Sequence, residues 1–165
     1  MKILAINDGH NASVALYVDG VITFSLSEER VSRIKNFYGF PSLAIKKAIE
    51  YGKFESVNDI DVFIIYRSSV IDFLYWRFLD KKFITEKIVI KIINLAYNLF
   101  PVLVHFIDKY VSNKIIKKYY AKELKTEASK ITLVNHHEAH AHSSLINLDK
   151  SKNHLIFTLD AEGDL

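Results

Sequence analysis

The first 27 residues constrain the fold more than any other part of the chain. "KILAIN" is a short apolar run of the kind a buried strand shows, and it ends in the turn-forming Asn7, Asp8 and Gly9. "SVALYVDG" alternates well enough for a second strand, and Asp19-Gly20 is a two-residue hairpin signal. "VITFSLSEER" then returns as a third strand. A meander of this kind needs further elements packed against its apolar face, and the rest of the chain offers them in alternation.

Pro41 stands where a helix begins, and "PSLAIKKAIEYG" closes on Gly52 as its cap. "DIDVFIIYR" is a fourth strand, so apolar that a central position is expected. Residues from about Ser69 to Glu127 contain no glycine, one proline and many aromatics with dispersed lysines; their apolar spacing predicts two or three inserted helices, with Pro101 breaking the longest. "KITLVNH" resumes the sheet, "HEAHAHSSLINL" is a helix, and "NHLIFTLDAEGDL" is a last strand running into an acidic turn. The order predicts an α/β fold with a mixed sheet and a helical insertion at about 69–127. At 165 residues, half of them apolar, the chain suits one domain.

Composition narrows the class. The 22 basic and 19 acidic side chains leave a net charge of only +3, which argues against nucleic acid as a partner. The absence of cysteine excludes disulfides, thiolate metal sites and a cysteine nucleophile, and fits a cytoplasmic protein. The opening apolar run is too short for a signal peptide. The stretch from Ile88 to Ile107 is interrupted by Lys91, Asn94, Asn98, Pro101 and His105, so a buried or interfacial helix is expected there rather than a membrane span.

Four stretches carry potential chemistry. In "INDGHNAS", a strand ending in Asp-Gly exposes backbone N–H groups that can approach a phosphate, with His10 as an adjacent general base; an ordinary hairpin turn explains the same residues. In "SEERVSRIK", Glu28, Glu29, Arg30, Arg33 and Lys35 are either a solvated edge or an array that orients a polar substrate. "VNHHEAHAHSS" packs four of seven histidines into seven positions, and His136 and His140, four apart on a helix, can share a cation. A polar helix start is the plain alternative. The protease motif HExxH is absent, because Ala141 occupies the position of its second histidine. In "TLDAEGDL", Asp160, Glu162 and Asp164 around Gly163 form a turn able to bind a metal-phosphate, or merely a turn.

Taken in order, "INDGHNASVALYVDG", "SEERVSRIKNFYGFPSLAI", "VNHHEAHAHSS" and "FTLDAEGD" resemble the N-terminal part of the carbamoyltransferases of the nodulation-protein and antibiotic-tailoring type. The resemblance is weak between about Ser69 and Glu127. It implies an actin-like, sugar-kinase-like ATPase fold of the ribonuclease H-like kind, present here as an incomplete domain. It also implies a reaction in which carbamoyl phosphate and ATP give carbamoyl-adenylate, whose carbamoyl group passes to a hydroxyl of a sugar or other small acceptor. By the same resemblance, His136 and His140 bind a divalent metal, commonly iron, and His10 assists the acceptor hydroxyl. Asn7, Asp8 and Gly9 correspond to a first phosphate loop that usually carries an acid where this chain has Asn7. Asp160, Gly163 and Asp164 correspond to a second, in which Ala161 stands where glycine is more usual. Family members are several times longer, so the resemblance implies a truncated product or split subunit, inactive alone and completed by a C-terminal portion or a complementary chain. Two other readings stand beside it: a non-catalytic interaction module, and a stand-alone metal–histidine hydrolase.

Overall fold

The computed structural model describes residues 1–67, 95, 98–100, 102, 112–146, 148–149 and 151–158. Five strands form one sheet: β1 (Lys2–Asn7), β2 (Ser13–Val18), β3 (Val21–Ser27), β4 (Val62–Arg67) and β5 (Ile131–Asn135). Their spatial order is β3-β2-β1-β4-β5; β1–β2 and β2–β3 are antiparallel, while β4 lies parallel to both β1 and β5. The expected meander, the mixed sheet and a fourth strand between neighbours are therefore all present. Asp19 and Gly20 both take positive φ (47° and 100°), as a hairpin turn matching the strand twist requires.

Register explains the core. Leu16, Leu4, Phe63 and Ile131 line up across one face, with Val14, Ile6, Ile65 and Leu133 in the next row. Seven of these eight are buried and Leu133 packs against them. Helices α2 (Ser42–Tyr51) and α3 (Ser112–Leu124) cover that face with Ala44, Ile45 and Ala48 and with Ile116, Tyr120 and Leu124, each set at helical spacing. Both helices end alike. Phe54 N–H donates to Ile49 O and Thr126 N–H to Ala121 O, and a lysine (Lys53 or Lys125) occupies the left-handed position. Gly52 does cap α2, but with right-handed backbone. Its lack of a side chain serves a different need, because a Cβ there would stand 2.5 Å from the Phe54 ring.

Two expectations fail. The third strand stops at Ser27, and Glu28–Ser32 form the short helix α1. The reason lies across the fold: the Glu28 carboxylate, 1% exposed, accepts N–H donors from Leu43 (3.1 Å) and Ala44 (2.6 Å) at the start of α2. Pro41 has no side-chain cap to offer there, so a distant carboxylate supplies it. Residues 153–158 form no strand, and Leu155 and Phe157 are 82% and 85% exposed. An apolar run forms a strand only where a neighbour pairs with it, and among the described residues none does.

In the inserted segment, α3 and the helical residues 95, 98, 99 and 102 agree with the expectation, and Leu95, Leu99, Phe100 and Val102 are more than half exposed. The remainder lies outside the described residues, as do Asp160, Glu162, Gly163 and Asp164. Among the described residues no helix is long and apolar enough to cross a membrane.

Candidate functional site

The parallel pairing decides which residues meet. Ile6 lies opposite Ile65, Tyr66 opposite Val134, and Arg67 opposite Asn135. The C-terminal ends of β1, β4 and β5 therefore share one edge of the sheet. Open α/β sheets bind ligands at this kind of edge, where loops leave the strands. The first turn emerges there from β1, and helix α4 (His136–Leu145) emerges there directly from β5.

The first turn is organised by Asn7. Its Oδ1 accepts the Gly9 N–H (3.2 Å), while Nδ2 donates to the carbonyls of His10 (3.2 Å) and Asn11 (3.4 Å). An aspartate at this position would accept the same N–H but repel both carbonyls. Asn11 takes positive φ (56°), whereas Gly9 does not, and a Cβ on Gly9 would meet only ordinary contacts. Glycine at position 9 is thus not demanded by the turn itself. The base of the turn is anchored by Ala12, which accepts from the Glu28 amide (2.8 Å) and donates to Phe37 O (3.1 Å). Asp8 accepts a hydrogen bond from the hydroxyl of Tyr120 on α3, and Tyr120 is almost wholly buried. His10 is exposed and bridges Tyr38 through the backbone.

Helix α4 starts with a proper cap. Asn135 Oδ1 accepts the amides of His137 (2.9 Å) and Glu138 (3.3 Å). The His136 and His140 Nε2 atoms stand 3.2 Å apart. Two imidazole nitrogens bound to one tetrahedral zinc, each at about 2.0–2.1 Å, would be separated by about 3.3–3.4 Å. The separation of the pair is thus close to that of two ligands on a shared cation. A third ligand is not at hand: among the described residues no group of three histidines, cysteines or acids could hold a metal. His142 lies on another face, 3.6 Å from Glu138.

Tyr66 joins the two regions. Its ring packs edge-on against His136, centroids 5.1 Å apart, and its Cε1 is 3.8 Å from where a Gly9 Cβ would be. Sequence inspection missed Tyr66, Tyr120 and Asn135 as site residues. An amphipathic tyrosine closing a buried strand, as in "VFIIYR", was the available signal.

The "SEER" stretch divides in two. Glu28 is a buried cap and belongs to neither expected alternative. Arg30, Arg33 and Lys35 are exposed, as a solvated edge would be.

The sequence that builds this turn and this histidine helix matches one known family almost from end to end: the family model described as carbamoyltransferase N-terminus aligns with residues 2–165. The chain belongs to that family. Over 157 residues it is 25% identical to the nodulation protein NolNO of Sinorhizobium fredii, covering 94% of this chain and 20% of that protein. It is also 40% identical over 65 residues to an uncharacterized protein of Methanocaldococcus jannaschii, covering 39% of this chain and 13% of that protein. The chain therefore spans a fifth or less of the length of these curated relatives.

Proposed function

We propose that the chain supplies the acceptor-side and first phosphate-binding half of a carbamoyltransferase that uses carbamoyl phosphate and ATP, through carbamoyl-adenylate, to carbamoylate a hydroxyl of a small acceptor. One observation carries this reading: in a chain that matches the family throughout, the Asn7–His10 turn and the His136–His140 pair share one edge of the sheet. The sheet order 3-2-1-4-5 supports a ribonuclease H-like, actin-like domain in which that turn is the first phosphate loop.

In this scheme the turn from Asn7 to Gly9 is the first phosphate loop, and exposed His10 takes the proton of the acceptor hydroxyl as its oxygen attacks the carbamoyl carbon and adenylate leaves. His136 and His140 supply two ligands to a divalent cation, Fe²⁺ by family resemblance; when bound, such a cation polarises a substrate oxygen. Asp160, Gly163 and Asp164 form the second phosphate loop. A further portion of the protein supplies the third ligand and the adenylate-forming machinery.

Two linked assays test the scheme. The 165-residue chain, given carbamoyl-adenylate and an acceptor, shows no carbamoyl transfer, because half a cleft neither aligns the donor nor excludes water. Once assembled with the remaining portion, His10→Asn lowers the transfer step by about 10²–10⁴-fold and leaves adenylate formation intact. Transfer by the isolated chain, or unchanged transfer in the His10→Asn enzyme, sinks the proposal.

A further inference from the structure

We propose that Tyr66 is a positioning residue, whose ring holds His136 in the orientation that pairs it with His140. The inference rests on the metal-binding role given above to the two histidines.

Three contacts lead to it. The Tyr66 and His136 rings meet edge to face, with centroids 5.1 Å apart and planes at 63°. The histidine ring also meets His140, with centroids 4.5 Å apart at 86°, and His137, with centroids 5.4 Å apart at 75°. His136 is thus held among three rings, and a rotation of its χ angles disturbs those contacts. The Tyr66 ring also stands near the first turn, its Cε1 3.8 Å from where a Gly9 Cβ would be. A backbone cause underlies the Tyr66 contact. Tyr66 is the last residue but one of β4, so its position is fixed by pairing with Val134, the last residue but one of β5. The ring stands on the rigid sheet while His136 stands on the first turn of a helix capped by Asn135.

The chemical consequence concerns entropy. Two imidazoles on an exposed helix face normally sample several rotamers, and a cation must freeze both. A ring fixed to the sheet removes part of that cost from His136 before any cation arrives. Groups that orient metal ligands in this way contribute to affinity without touching the metal. An edge-to-face contact depends on the ring and not on the phenol oxygen, so phenylalanine should serve and leucine should not.

Isothermal titration with Zn²⁺ alone, at neutral pH on the 165-residue chain, tests this. Tyr66→Leu is expected to raise the Zn²⁺ Kd by about 10–100-fold, and Tyr66→Phe to change it by less than about threefold. His136→Ala and His140→Ala should each abolish the same binding event. A merely structural role for Tyr66 would lower the melting temperature of Tyr66→Leu without changing the Kd of the folded protein, and that result overturns the proposal. If circular dichroism shows Tyr66→Leu to be unfolded, Tyr66→Met takes its place with the same expectation. No Zn²⁺ binding by the unmodified chain, or binding untouched by His136→Ala, overturns both this inference and the metal role itself. Binding lost in His136→Ala but kept in Tyr66→Leu overturns the role of Tyr66 alone.

Discussion

The polar stretches at Glu28–Lys35 and His136–His142 look alike in the sequence, each a dense run of titratable side chains after an apolar strand. In the folded chain they part company. Glu28 turns inward and spends both carboxylate oxygens on the amides of Leu43 and Ala44. The histidines stay near solvent: His136 is half-buried, His140 is exposed, and the helix amides are served by Asn135 instead. A helix that carries its own cap does not draw on neighbouring side chains for its first amides, whereas one that begins at Pro41 must borrow a group from elsewhere. Residue type alone therefore says little about chemistry; what matters is whether the group's hydrogen-bonding capacity is already used.

The largest effect that would test this contrast is at Glu28. Glu28→Ala strands two amides in a nearly dry site, and the expected loss is about 2–4 kcal/mol in urea denaturation. A loss under about 1 kcal/mol would mean that water or another group satisfies those amides, and the contrast would collapse. Next comes Asn135→Ala, which removes an accessible cap and should cost about 1 kcal/mol by the same measurement. The smallest effect is expected from the double variant His136→Ala, His140→Ala. Its stability should stay within about 0.5 kcal/mol of the parent, since Asn135 accepts the amides of His137 and Glu138 at the helix start. A destabilisation as large as that of Glu28→Ala would recast the histidines as structural. Zn²⁺ binding should also weaken in the parent chain as the pH falls, because protons compete with the cation for the same nitrogens.

The contrast also shows why some elements were legible and others were not. The β1–β3 meander, α2, β4, β5 and α4 follow from local rules: period-two alternation, the Asp19-Gly20 turn, proline at a helix start, and a run such as "VFIIYR" long enough only for a strand. The first turn and the histidine pair could be picked out because their residues are close in sequence. Glu28 was misassigned because the amides it serves lie 15 and 16 residues away. The last strand was misassigned because hydrophobicity shows that a segment can pair, not that a partner is present.

By itself, the sequence determined the order of β1, β2, β3, α2, β4, β5 and α4, the tight turn at Asp19-Gly20, and the spacing that sets His136 beside His140 on one helix face. These depend on interactions spanning a few residues, which φ/ψ preferences and side-chain period largely fix. Only the tertiary structure decided that β1, β4 and β5 run parallel, and so that the Asn7–His10 turn and the histidine helix leave the sheet at the same edge. It alone brought Tyr66 against His136, Tyr120 onto Asp8, and Glu28 to the start of α2. Each of those contacts joins residues far apart in sequence, and their closeness is set by strand register and helix packing, which no local pattern encodes.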